Sequence, residues 1–294
     1  MTEPPKRISF IGLGVMGEAM CGNLARRGEW PVLAYDLKPE PLERLAVEGV
    51  PSAASLDEAA ASDFIITCLP GGDHVRALVL DGGLLEKMNP GAVLVDMSTS
   101  QPALMREIAE TAAAKGVDFA DAPIARTRQA AADGTLAIMV GASDATFARI
   151  LPVMKTIGSD VMHCGEVGTG QIVKIMNNMV LFQTVAALNE AVEMAEGAGM
   201  DGAALFEMLT KGSADSFALR NHGMKSAAPR AYPSPAFSVD YAAKDLRYAL
   251  ELAEETGVDA AGARNVARLF QTAQAAGHGD KYWPVIRETL KKDD

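Results

Sequence analysis

The stretch FIGLGVMGEAMCGNLARRG, residues 10–28, narrows the fold more than any other part of the chain. Gly12, Gly14 and Gly17 form a G-x-G-x-x-G pattern that ends the β-branched run RISFIG (7–12) and opens a helical pattern. Strand, glycines and helix in that order mark a loop that cradles a dinucleotide pyrophosphate. Gly12 permits the tight turn, Gly14 lets the backbone approach the phosphates, and Gly17 lets the helix lie close to the strand; the helix N-terminus adds aligned amides. Leu13, Val15 and Met16 complete this cradle. Glycines that serve only helix–strand packing are the competing explanation. Asp36 weighs against it, since it closes the next apolar run, nineteen residues beyond Gly17. An acid there accepts the adenosine ribose hydroxyls and repels a 2′-phosphate. NAD is therefore favoured, and Lys38 nearby keeps NADP as an alternative.

The rest of the N-terminal half repeats the alternation. Short apolar runs at 7–12, 31–36, 63–70, 92–98, 117–123, 135–141 and 159–165 are separated by helical patterns. Such a series predicts an α/β domain with a parallel sheet covered by helices on both faces. Near residue 166 the pattern becomes almost wholly helical, starting with a run over 170–199 that ends at glycine. As a helix it would be about 45 Å long and reach beyond its own domain. The expected organisation is a dinucleotide-binding domain over 1–166 and an all-helical domain over 167–294 that includes this long interdomain helix. Further helices are expected over 201–211, 238–256 and 260–276, with the Pro-rich APRAYPSPAF (228–237) as a loop.

Charge limits the partners. With 38 acidic and 27 basic side chains the net charge is -11, which disfavours nucleic acid and anionic membranes, both of which need basic surface. Cys21, Cys68 and Cys164 are odd in number and widely spaced, as expected of reduced thiols in the cytoplasm. No apolar run approaches the roughly 18 residues of a membrane span. His74, His163, His222 and His278 lie far apart without ligand spacing, so no metal site is expected. No G-x-S-x-G or similar arrangement suggests acyl transfer.

In GTGQIVKIMNNMVLF (168–182), Lys174, Asn177, Asn178 and Leu181 fall at i, i+3, i+4 and i+7, along one helix face. A lysine and two asparagines amid apolar neighbours are costly to bury unpartnered, so the stripe lines a wet cleft or faces solvent. Spacing alone leaves both readings open.

Five motifs, FIGLGVMG, DMSTSQP, DAPIARTRQAA, GTGQIVKIMNN and FSVDYAAKDL, occur in an order and spacing that resembles the β-hydroxyacid dehydrogenase family over nearly the whole chain. The resemblance implies a Rossmann-like domain joined by a long helix to an all-α domain, and a homodimer or homotetramer. It implies that Lys174 is the catalytic lysine, which faces the substrate hydroxyl in oxidation and donates the proton in reduction. Asn178 then positions substrate or lysine, with Asn177 beside it. Ser98 and Thr99 match a Ser-Thr pair, Ser98 toward substrate and Thr99 toward nicotinamide. Lys244, with Asp245, matches a pair that closes over the cofactor, and Leu69 and Pro70 match a loop over its adenine-ribose side.

One motif departs from the family pattern. Where most members carry Ser-Gly-Gly after Asp-x-Pro-Val, this chain reads Ile124, Ala125, Arg126, Thr127. A guanidinium in place of small amide donors suits a strongly charged oxyanion. The variation resembles the branch that contains 3-sulfolactaldehyde reductase, which implies Arg126 as the group for the substrate anion. Alternatively Arg126 pairs with Asp121 or Asp133 and only fixes the loop. Arg128 is expected to point away. The expected function is an NAD-preferring EC 1.1.1-type oxidoreductase that interconverts a small anionic hydroxyacid and its semialdehyde, of the 3-sulfolactaldehyde or succinic semialdehyde type. The alternatives are 3-hydroxyisobutyrate or another 3-hydroxycarboxylate as substrate, or a catalytically silent NAD-binding regulator. Imine reduction is disfavoured by the presence of Lys174.

Overall fold

A computed structural model describes residues 6–234 and 236–290. The N-terminal part alternates as the glycine motif implies: β1 (Ile8–Ile11), α1 (Gly17–Arg27), β2 (Val32–Tyr35), α2 (Pro39–Val47), α3 (Leu56–Ala60), β3 (Phe64–Thr67), α4 (Gly72–Arg76), α5 (Leu84–Lys87), β4 (Val93–Asp96), α6 (Pro102–Ala114), β5 (Asp118–Asp121), β6 (Ile124–Ala125), α7 (Arg128–Asp133), β7 (Leu136–Gly141), α8 (Asp144–Met154) and β8 (Gly158–Gly165). Then come α9 (Thr169–Gly197), α10 (Gly202–Leu209), α11 (Val239–Thr256) and α12 (Ala261–Ala275). Wider helical turns over Leu219–Ala227 and a tight one over Trp283–Thr289 were not indicated by the sequence pattern. The boundary between two compact units falls after Lys174, within α9.

The strands form one sheet in the order β2-β1-β3-β4-β5-β7-β6, with β8 on β7. From β2 to β5 every pairing is parallel. Side chains alternate across this sheet. Ile8, Phe10, Phe64, Ile66, Val93 and Val95 enter one buried cluster, whereas Ile11, Ile65, Leu94 and Phe119 enter the other. Burial on both faces explains why these strands read as continuous apolar runs.

The all-parallel expectation is corrected at one edge, where β7 runs antiparallel to β5 and β6. Residues 126–135, which join β6 to β7, are too few for a parallel crossover of a dozen or more residues, so the chain folds back on itself. Beyond β7 the longer α8 connection restores a parallel pairing with β8.

The helical unit has its own core. Phe182 meets Trp283 edge-on at 4.9 Å and Phe270 at 5.5 Å, and Tyr248, Leu246 and Phe206 pack into the same cluster. Arg287 is fully buried, donates to Glu193 Oε1 at 2.6 Å and lies 2.6 Å from Glu196 Oε2, so its charge is matched where water is excluded. Among the described residues no helix is long and apolar enough to cross a membrane.

The start of α9 is fixed by Asp121, at the end of β5. Its Oδ1 accepts the amide of Gly168 at 2.6 Å and its Oδ2 that of Gln171 at 2.8 Å. A carboxylate at a helix N-terminus satisfies orphan amides and complements the helix dipole. Burial, aided by the charge of Asp96, pushes the Asp121 carboxyl up to about 7 against the opposing pull of these amides. The folded chain therefore holds a proton that the unfolded chain, with a carboxyl near 3.8, releases at lower pH. The stability contributed by this group is full below the unfolded value and falls as pH rises toward 7. Asp121→Asn has no proton to lose, so the wild type should lose stability relative to this variant between pH 4 and 7 in urea unfolding. Parallel pH curves for the two proteins would contradict the shift.

Candidate active site

The three glycines of the first loop serve different ends. Gly12 has φ +95°, and a Cβ on it would lie 2.4 Å from the Cys68 carbonyl oxygen. A Cβ on Gly17 would lie 2.0 Å from the Gly12 oxygen. Both positions need glycine for the protein's own packing. Gly14 does not: it is exposed, and a Cβ there would have nothing within 4 Å. The open space over Gly14 suits a close backbone approach by a pyrophosphate. No side chain caps α1, whose N-cap is Met16. Leu13 is buried, Val15 is exposed and Met16 is half-buried.

Asp36 stands just past β2 and is tied to this loop. Its Oδ2 accepts the Leu13 amide at 2.6 Å and its Oδ1 the Lys38 amide at 2.8 Å. An ionised carboxylate has about four acceptor sites, so each oxygen retains capacity for a hydroxyl donor. The cradle therefore fits a dinucleotide: an open glycine at the loop, an uncapped helix start and an acid at the ribose position.

On the other side of Gly12, the β3 end is locked to the β4 end. Leu69 donates its amide to Ser98 Oγ at 2.8 Å, and Ser98 Oγ donates to Asp96 Oδ1 at 2.6 Å. Thr67 Oγ1 donates to the same Asp96 oxygen at 2.8 Å. Ser98 was expected to face substrate; it is 2% exposed and its hydroxyl proton is committed to Asp96, so here it braces the loop. Leu69 is half-buried beside Gly12, Pro70 is exposed and Thr99 is half-buried.

Sequence reasoning missed Gln171. Its Oε1 accepts the Ser100 amide at 3.0 Å and its Nε2 donates to the Ser98 carbonyl at 2.8 Å. A single glutamine in an apolar helix start carries no signal of its own, and its partners lie more than 70 residues away. Lys174 follows three positions later on the same helix and is half-buried.

The polar stripe of α9 continues into a cluster within the helical unit. Asn177 is exposed and donates to Asn178 Oδ1 at 3.1 Å; Asn178 is 4% exposed and donates to Asp245 Oδ2 at 2.7 Å. Lys244 Nζ lies 3.1 Å from Asp245 Oδ1 and 5.2 Å from the centre of the Tyr241 ring. The stripe is tolerated among apolar side chains because each polar group has a partner. Asn177, Asn178, Lys244 and Asp245 thus come together, with Asp245 as the hub.

Arg126 differs from expectation. Its Nη2 donates to Asp160 Oδ2 at 2.6 Å, and its Nη1 to Ser159 Oγ at 2.8 Å and to the Thr135 carbonyl at 2.6 Å. The guanidinium is therefore paired within the protein, and its partner is neither Asp121 nor Asp133. Arg126 also adopts φ +89°, a left-handed conformation that costs energy for any residue with a side chain. The Ser159 hydroxyl, with help from Arg126, holds the Asp160 carboxyl below its usual range.

Comparison with known proteins identifies both halves. Residues 7–165 match the family model described as the NAD binding domain of 6-phosphogluconate dehydrogenase. Residues 168–283 match that described as NAD-binding of NADP-dependent 3-hydroxyisobutyrate dehydrogenase. The chain is 36% identical to the 2-(hydroxymethyl)glutarate dehydrogenase of Eubacterium barkeri, with 94% of this chain and 92% of the relative covered. It is 32% identical to the 3-sulfolactaldehyde reductase of Escherichia coli, with 97% and 95% covered. Its fold superposes with TM-score 0.89 on the Mycobacterium tuberculosis 3-hydroxyisobutyrate dehydrogenase with L-serine, at 32% identity and with 98% and 99% covered. The glycine cradle, the long helix and the two matched halves together make this chain a member of the β-hydroxyacid dehydrogenase family, an NAD(P)-binding oxidoreductase that acts on CH–OH groups.

Proposed function

We propose that the protein reduces a short anionic semialdehyde with NADH, of the 3-sulfolactaldehyde or succinic semialdehyde type, and oxidises the corresponding hydroxyacid in reverse. The nicotinamide, when bound, supplies the hydride to the carbonyl carbon. Lys174 donates from Nζ to the carbonyl oxygen and passes it a proton as the alkoxide forms. Asn178, held by Asp245, orients the substrate, and Asn177 supports it. Leu69, Pro70, Thr99 and Lys244 complete the contacts to the cofactor. Asp36 selects NADH, since a 2′-phosphate would meet a carboxylate already fixed to the loop.

The observation that carries this reading is the Gln171 carboxamide, which ties the turn before Lys174 to both sides of Thr99. It brings the proposed proton donor and the Ser98–Ser100 segment into one framework. A Lys174→Ala variant should lose about 10²–10⁴ in kcat and keep its affinity for NADH, read by fluorescence titration. Full turnover in that variant would remove the proposed mechanism.

Arg126 is proposed to hold the substrate's distal acid by exchanging partners. Its pair with Asp160 is about half exposed and screened by solvent, so an incoming oxyanion can compete with Asp160 for the guanidinium while the Nη1 bonds to Ser159 and the Thr135 carbonyl stay in place. The same pair also supports a second reading, in which Arg126 stays with Asp160 and the substrate is 3-hydroxyisobutyrate or another 3-hydroxycarboxylate. The two readings separate in steady-state kinetics with sulfonate and carboxylate aldehydes. If partners exchange, Arg126→Ala raises KM by about tenfold or more, and Asp160→Asn lowers it. If the pair only fixes the loop, neither change moves KM.

A further inference from the structure

We infer that Gln171 is a positioning residue, whose carboxamide holds the Thr99 peptide in register with the helical turn that carries Lys174. The inference rests on the proposed role of Lys174 and extends it to a residue that never touches substrate. Both bonds from the side chain go to backbone, to the Ser98 carbonyl and the Ser100 amide, on the two sides of Thr99. Thr99 is therefore held whatever side chains stand beside it.

The arm is anchored at its base. The Gln171 amide donates to Asp121 Oδ2, and the preceding Gly170 is packed without slack: a Cβ there would lie 2.3 Å from the Met139 carbonyl oxygen and 2.7 Å from Asp121 Oδ2. Gln171 itself is fully buried. Its carboxamide thus projects from a turn held against β7, and it ends on a loop that is also supported through Ser98, which donates to Asp96 and accepts from the Leu69 amide. Lys174 sits on the next turn of the helix, so a shift of the Thr99 loop and a shift of Lys174 are mechanically coupled through one side chain. A glutamine is suited to this because one planar group offers both a donor and an acceptor.

A Gln171→Met variant keeps nearly the same volume and loses both bonds. It should melt lower than the wild type, because the Ser98 carbonyl and the Ser100 amide are left buried without their partner. Assayed well below that melting point at saturating NADH, it should show kcat lowered on the order of 10–100-fold, as expected for reacting groups displaced by up to about 1 Å. Its primary isotope effect with 4-deuterated NADH should also rise, because hydride transfer becomes more rate-limiting. A folded variant with wild-type kcat and isotope effect overturns the inference. If the variant does not fold, hydrogen exchange on the wild-type protein decides: the Ser100 amide should be protected as well as the Gln171 amide, and exchange at the rate of a free loop overturns the tie. A Gln171→Met variant with full turnover beside an inactive Lys174→Ala sinks only this inference, whereas an active Lys174→Ala sinks the reading beneath it.

Discussion

The carboxylate of Asp121 on the first amides of α9 is the constraint on which the site depends. It sits at the end of β5, so the position of the sheet sets where the long helix begins. The glycines around it serve this contact. Gly141 on β7 and Gly170 on α9 approach so closely that a Cβ on either would collide with the other's backbone amide or with Asp121. From that fixed start, helical geometry determines where Gln171 and Lys174 project. The glycine cradle is governed by the same sheet, because Gly12 packs on the end of β3 and Leu69 is bonded to Ser98 at the end of β4.

The protein carries a net charge of -11, so the small anionic substrate proposed for it requires cations placed one at a time. Two of those in the motifs are held by an acid: Arg126 by Asp160, and Lys244 by Asp245. The pairs differ in burial, and burial decides what each can do. Asp245 is nearly inaccessible and also fixes Asn178, so the Lys244 pair is a rigid part of the helical unit. The Arg126 pair is half exposed and screened by solvent, at a residue strained into a left-handed conformation.

Much of this was readable in the sequence because periodicity and glycine spacing are local. The strands from β1 to β5 follow from short apolar runs bounded by turn residues, and α9 from a run too long for a strand that ends at glycine. The antiparallel edge was not readable, since it depends on the shortness of the β6–β7 connection rather than on any residue in it. The site divides the same way. Gly12, Gly14, Gly17 and Asp36 are marked by spacing, and the stripe of Lys174, Asn177 and Asn178 by helical phase. Asp160 as the partner of Arg126 and Gln171 as the tie to the Thr99 loop are products of tertiary contact, whereas the bond from the Ser98 hydroxyl to Asp96 spans only two residues. The partners of Arg126 and Gln171 come from distant segments, and nothing in the local pattern of any one segment records them.

The central claim is that hydride and proton reach the same carbonyl, the proton from Lys174. A crystal structure of the ternary complex with NADH and an unreactive analogue of a short hydroxyacid tests it most directly. The account predicts Lys174 Nζ within hydrogen-bonding distance of the analogue's hydroxyl or carbonyl oxygen, and the nicotinamide C4 against the adjoining carbon. An Nζ turned to bulk solvent, with another group on that oxygen, would contradict it.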